Sequence, residues 1–217
     1  MSTGFLFVTA PSADYKAVNA LLHELQNWEY NDGESEFRLI TTKNAYDFEP
    51  PAGTHVLDGT LPKLDSTFTN AWAGSSLKDV EEFCLDIVHN SSPSDDSPWL
   101  FVVVDSAGFE ARTGIVVERA TADADEDFKL LDSFVKMRVP WDEVQITWCN
   151  LSIANSDFDE MGERRETKAN GDGGGEANVE DEGDGWYDYH TLGADLSDEN
   201  ANRKKKAFQR LKDDGLI

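Results

Sequence analysis

Apolar residues recur along the chain as short continuous runs alternating with stripes of helical spacing. Phe5-Leu6-Phe7-Val8-Thr9 is one such run, and it stops at the turn chemistry of Ala10-Pro11-Ser12. Tyr15, Val18, Leu21, Leu22, Leu25 and Trp28 then return every three or four residues, behind Ser12 or Asp14 as candidate caps. The turn Asn31-Asp32-Gly33 closes this unit, and Phe37 to Thr41 forms a second short strand. A strand, a helix and a strand in that order predict an α/β fold with parallel pairing.

Residues 42–75 are irregular, broken at Pro50-Pro51, Gly53, Gly59, Pro62 and Gly74, with His55-Val56-Leu57 as a short strand inside them. A second amphipathic helix is predicted from Leu77 to Val88, capped by Ser76. Trp99 to Val104 is apolar throughout, which only a strand covered on both faces sustains, so it belongs in the interior of the sheet. Ser106-Ala107-Gly108 reads as a turn and Ile115-Val116-Val117 as a strand. Residues 121–127 read as a solvated acidic loop. Phe128 to Val139 mixes apolar and charged positions and fits neither period. Pro140-Trp141 breaks the pattern, and Val144 to Trp148 alternates as a strand should.

The character changes near Met161. Residues 171–185 combine glycine with like charge and carry no apolar stripe, so they cannot bury enough surface to offset the entropy of ordering. Trp186-Tyr187-Asp188-Tyr189 is an isolated aromatic cluster. A basic helix follows from Asn200 to Asp213, with Ser197 or Asp198 as its cap. The pattern as a whole predicts an α/β domain over residues 1–161, its sheet mixed or mainly parallel and flanked by helices. A disordered acidic linker over 162–185 and a short C-terminal helix within 186–217 complete the chain.

Charge changes this picture more than any other property. The chain carries −24, with −12 concentrated in residues 156–200 and +4 in residues 201–217. Nucleic acids and anionic lipids are bound by basic side chains that neutralise phosphate, so direct nucleic-acid binding and membrane association are both disfavoured. The apolar run near the start is too short for a signal sequence or a membrane span, and Cys84 and Cys149 form no CxxC pair. The expected location is the cytoplasm, with the nucleus as the alternative.

Candidate chemistry is sparse. Asn150, Ser152, Asn155 and Asp157 gather four short polar side chains around Ile153 and Ala154. Such a set can bind a ligand, or it can clamp a tight chain crossing while Leu151, Ile153 and Phe158 fill the core. Asp14 and Asp105 each follow an apolar strand, where parallel sheets hold ligands, although turn and capping duty is the commoner use. Asp123, Asp125 and Asp127 have the spacing of a calcium loop, but Phe128 and Phe134 occupy positions that need glycine and glutamate. His23, His55, His89 and His190 share no metal-ligand spacing, and neither a phosphate loop nor a nucleophile motif is present. No cofactor is expected. Arg203-Lys204-Lys205-Lys206 offers a targeting signal, a solvated helix face, or a patch that folds back on the acidic surface.

Residues Asn150 to Glu160 (NLSIANSDFDE) resemble an uncharacterised family of small bacterial and fungal proteins, a domain of unknown function. That family's closing motif has the form N-L-S-[IL]-A-N-M-D-F-[ED]-[ED]-F. Ser156 stands here in place of its methionine and Met161 in place of its last phenylalanine. The resemblance implies an α/β fold and no known activity. Two functions remain open: a non-enzymatic binding or protein-interaction module, and a small hydrolase or transferase that uses carboxylates at strand ends. Convergence of those carboxylates in one pocket would favour the enzyme.

Overall fold

A computed structural model of the protein describes residues 3–29, 33–44, 58–90, 98–121, 130–165, 185–193 and 196–217. The predicted strand at His55, most of the acidic loop at 121–127 and residues 171–184 of the linker lie outside them. The chain order is β1 (Gly4–Val8), α1 (Tyr15–Glu24), β2 (Phe37–Leu39), α2 (Leu77–Asn90), β3 (Leu100–Val104), α3 (Ser106–Ala111), β4 (Thr113–Thr121), β5 (Leu130–Pro140), α4 (Trp141–Ser152), α5 (Phe158–Met161), β6 (Gly162–Arg164), β7 (Trp186–Tyr189) and α6 (Asp198–Asp213).

The strands form one seven-stranded mixed sheet in the order β2-β1-β3-β4-β5-β7-β6. β1 runs parallel to β2 and β3, and β7 runs parallel to β5. The β3–β4, β4–β5 and β6–β7 pairs are antiparallel. β3 lies inside the sheet and all five of its residues are buried, as its unbroken apolar sequence requires. Successive side chains of a strand point to opposite faces, and the core divides accordingly. Leu6, Val8, Val102, Val104 and Val116 face the layer containing Val18, Leu22, Val144 and Trp148. Phe5, Phe7, Phe101, Val103 and Val117 face Trp72 and the buried stripe of α2, Val80, Cys84 and Ile87. Helices thus cover both faces, giving the α/β class.

Several elements depart from the sequence pattern. Val144 to Trp148 is helical, not a strand. With Trp141 and Leu151, the residues Val144 and Trp148 make a stripe at helical spacing, and that stripe is buried. Ser106 to Gly108 opens α3 and is not a turn, because Asp105 accepts a hydrogen bond from the Gly108 N–H at 2.6 Å and caps the helix. The segment that fitted neither period is β5. Its Lys136 and Arg138 sit inside the fold because ion pairs hold them, Lys136 Nζ to Glu81 at 2.5 Å and Arg138 to Asp105 at 2.8 Å. α1 ends at Glu24, short of the expected Trp28.

The sheet also continues beyond residue 161, where the α/β domain was expected to end. The cluster Trp186-Tyr187-Asp188-Tyr189, read from sequence as isolated, is β7, which lies between β5 and β6 with Trp186 and Tyr187 buried. Gly185, the last residue of the linker expected to be disordered, accepts the Lys136 backbone N–H at 2.8 Å. Beyond β7 the chain is anchored by Glu143 of α4, which accepts from Tyr189 Oη at 2.8 Å, Thr191 Oγ1 at 2.5 Å and the Leu192 N–H at 2.7 Å. Replacing Glu143 by glutamine keeps the size but removes the charge from three hydrogen bonds. The expected loss is about 1–2 kcal/mol in a denaturant melt.

The basic helix folds back on the acidic body. Lys204 Nζ meets Glu24 at 2.7 Å, the Phe208 ring lies 5.3 Å from His23, and Asn19 Nδ2 donates to the Leu216 carbonyl at 2.8 Å. Ser197 caps α6 through the Asn200 N–H. Lys205 and Lys206 remain exposed.

Candidate functional site

The three candidate aspartates occupy one structural role. Asp14 accepts from the Ala17 N–H at 2.9 Å at the start of α1, and Asp157 accepts from the Glu160 N–H at 2.9 Å at the start of α5. Asp105 does the same for α3 and is also gripped by both terminal nitrogens of Arg138, at 3.0 and 2.8 Å. Burial alone would raise the Asp105 carboxyl above the ordinary range. The Arg138 guanidinium and the Gly108 N–H outweigh it and hold the carboxyl below. Each carboxylate therefore satisfies a donor that the helix itself leaves open.

They do not converge. β1 and β3 are parallel and end together, Val8 opposite Val104, so Asp14 and Asp105 follow the same end of the sheet. Asp157 acts on Glu118, whose register partner in β3 is Leu100. That is the opposite end of the same strand.

The segment 150–157 is a helix terminus. The Asn155 N–H reaches back to the Asn150 carbonyl at 2.9 Å and the Ala154 N–H to the Leu151 carbonyl at 3.1 Å, with Ala154 left-handed at φ 52°. This pair of bonds is the Schellman arrangement that closes α4. The Ser152 hydroxyl donates to the Cys149 carbonyl at 2.8 Å, and the Asn155 side chain donates to Asn150 Oδ1 at 3.2 Å. The clamp reading needs correction on two points. Ile153 is 60% exposed and fills no core, whereas Leu151 and Phe158 do. Asn155 is itself exposed and satisfies another side chain, not buried backbone. Asn155→Ala should accordingly change stability by no more than about 0.5 kcal/mol, read by thermal melting. A loss above about 1 kcal/mol would restore the buried clamp.

What sequence reading missed is a cavity of about 270 Å³ between α1, α4 and α6, lined among others by Glu24, Gln26, Trp28, Glu29, Asp142 and Gln145. None of the six residues singled out from sequence lines it. Its elements are held by polar contacts distant in sequence. Gln145 Nε2 donates to Glu36 Oε2 at 2.5 Å, Asn27 Nδ2 donates to Glu36 Oε1 at 2.9 Å, and Asn200 Nδ2 donates to the Glu29 carbonyl at 3.2 Å. Glu24 meets both Lys204 and Arg112, the latter at 3.0 Å. Burial would raise its carboxyl, and those two cations bring it below the ordinary value. No single stretch of sequence carries this arrangement.

Two largely buried groups, His23 of α1 and Glu118 of β4, titrate far from their usual values. His23 is lowered to about 4, chiefly by burial, with Lys204 adding to the effect and Glu24 opposing it. Glu118 is raised to about 7 by burial and then by the nearby Asp157 charge. Burial also pushes the Cys84 thiol up, so it is protonated and unreactive.

Among the described residues no three histidine, cysteine or carboxylate side chains come together as a metal site, and no helix is long and apolar enough to cross a membrane. Comparison with protein-family models, curated proteins and solved structures finds no match.

Proposed function

We propose that this protein is a non-enzymatic binding module whose partner is another protein, one that presents a basic surface. The observation that carries this reading is the placement of Asp14, Asp105 and Asp157. Each is committed to a helix N-terminus, and the third lies toward the opposite end of β3 from the other two. A carboxylate-based hydrolase or transferase needs an acid and a base within reach of one reacting centre, with protonation states set apart by their surroundings. The net charge of −24 supports a cationic partner, because it accelerates encounter with basic surfaces and repels acidic ones.

The test is affinity capture from native cells at low and high salt, using wild type and the Asp14→Asn and Asp157→Asn proteins. A partner that is released by salt and retained by both variants supports the module. Turnover in a hydrolase and transferase substrate panel, abolished by either substitution, would overturn it in favour of the enzyme.

A further inference from the structure

We propose that α6 occupies in cis the face of α1 onto which a basic amphipathic helix of another protein docks, and so keeps that face closed until a better-fitting helix displaces it. This rests on the protein-binding reading and gives it a face and a binding element. α6 carries the charge which that reading asks of a partner, since residues 201–217 hold +4 on an otherwise acidic chain. Its shielded positions, Asn200, Arg203, Lys204, Ala207, Phe208 and Leu211, recur at helical spacing as one stripe. Lys204 pairs with Glu24 at 2.7 Å. Phe208 sets its ring against His23, which in turn packs 5.0 Å from Trp28. The face therefore already accepts a basic helix.

α6 is held weakly for its length. It fully buries only Asn200 of its 16 residues, whereas α1 buries five of 10. An element with so little buried surface opens at low cost. Its docking also leaves two defects. A cavity of about 270 Å³ remains beside Trp28, Ile146, Ala201 and Lys204, and His23 Nδ1 is buried with no hydrogen-bond partner among the described residues. A rival helix with a bulkier apolar residue at the place of Ala201, two turns before its phenylalanine, gains contacts that α6 does not make. The face keeps its shape without α6. Glu24 retains Arg112 at 3.0 Å, Asn19 retains both its bonds to Leu64 at 2.9 Å, and the Trp28 indole N–H stays on the His23 carbonyl. Such a preformed face can exchange one occupant for another. A tethered helix acts at high effective concentration, so it turns away weak competitors.

Synthetic peptides of residues 196–217, titrated into the intact isotope-labelled protein, test this. The native peptide should bind at one site and drive the α6 amide resonances to random-coil positions, while those of β3 stay in place. An Ala201→Leu peptide should bind about threefold tighter or more, by entering the cavity. A scrambled peptide of the same composition should leave α6 docked. Within the protein, Lys204→Gln/Phe208→Ala loosens α6 and should raise affinity for the native peptide by about tenfold or more. Lys206→Gln, on the exposed side of α6 and with the same change in charge, should not. Binding without release of α6, equal displacement by the scrambled peptide, equal affinities of the native and Ala201→Leu peptides, or equal gains in the two protein variants would each overturn the proposal. Concentration-dependent dimerisation of wild type with α6 exchanged between copies would overturn it in favour of a second copy as the occupant. A partner captured equally by wild type and by Lys204→Gln/Phe208→Ala would also overturn it while leaving the protein-binding module standing, so the two readings fail separately.

Discussion

Val103→Asp should destabilise the protein by about 4 kcal/mol and lower its melting temperature by roughly 10 °C or more. Val103 is fully buried in β3, paired with Phe7 of β1 on one side and Ile115 of β4 on the other. Its side chain faces the layer that contains Phe7, Phe101, Trp72 and the buried stripe of α2. The two cations that β5 contributes to the fold are already committed, Lys136 to Glu81 and Arg138 to Asp105. An aspartate there must stay neutral or remain charged without a partner, and either state carries a cost of several kcal/mol. Chemical denaturation of the variant measures it. A transition within a degree or two of wild type would mean that β3 lies at an exposed edge.

β3 was legible from sequence because burial on both faces leaves no room for polar positions, so the strand announces itself without periodicity. α2 was legible for the complementary reason: one face is wet and one is dry, and Ser76 with Asp79 forms a reciprocal cap. β5 was not legible. Lys136 and Arg138 occupy interior positions that look exposed in the sequence, and the acids that make them tolerable lie 55 and 33 residues away. α4 was misread because Gln145 and Thr147 are buried polar residues. Placed between Val144, Ile146 and Trp148, they imitate the alternation of a strand. Their partners, Glu36 and Tyr189, come from elsewhere in the chain.

The segment from Asn150 to Asp157 was only partly legible, for a related reason. Most helices that end in a left-handed residue mark it with glycine, and here the position is filled by Ala154. Without that mark, the short polar residues from Asn150 to Asp157 read either as a ligand set or as a clamp on a tight chain crossing. They are the end of one helix, a turn and the cap of the next. The cavity carries no motif, because its walls come from α1, α4 and α6 and are joined only by the fold.

The pH dependence of stability should be nearly flat in wild type between about 4.5 and 6.5, because two titrations of opposite sign cancel. His23 titrates at about 4 in the folded protein against 6.5 for an unperturbed imidazole, with burial the main cause. The unfolded chain therefore takes up its proton first on acidification, and stability falls as pH drops from about 6.5 towards 4. Glu118 titrates at about 7 against 4.5, through burial and then the Asp157 charge. Here the folded protein takes up the proton first, so stability rises as pH drops from about 7 to 4.5. Each shift corresponds to roughly 3 kcal/mol at its limit. The carboxyls of Asp105, Glu24 and Glu143 are held below their ordinary values, so their contributions are present throughout that range and are lost only at lower pH. Glu118→Gln should stabilise the protein by about 2–3 kcal/mol at pH 7.5 and expose the His23 slope, with stability falling on acidification. His23→Gln should expose the opposite slope, whatever its packing cost at any one pH. Urea melts of the three proteins at pH 7.5, 6 and 4.5 decide the matter through slopes rather than absolute values. A flat profile for Glu118→Gln would show that His23 is not held neutral by the packing of Trp28 and Phe208 around it.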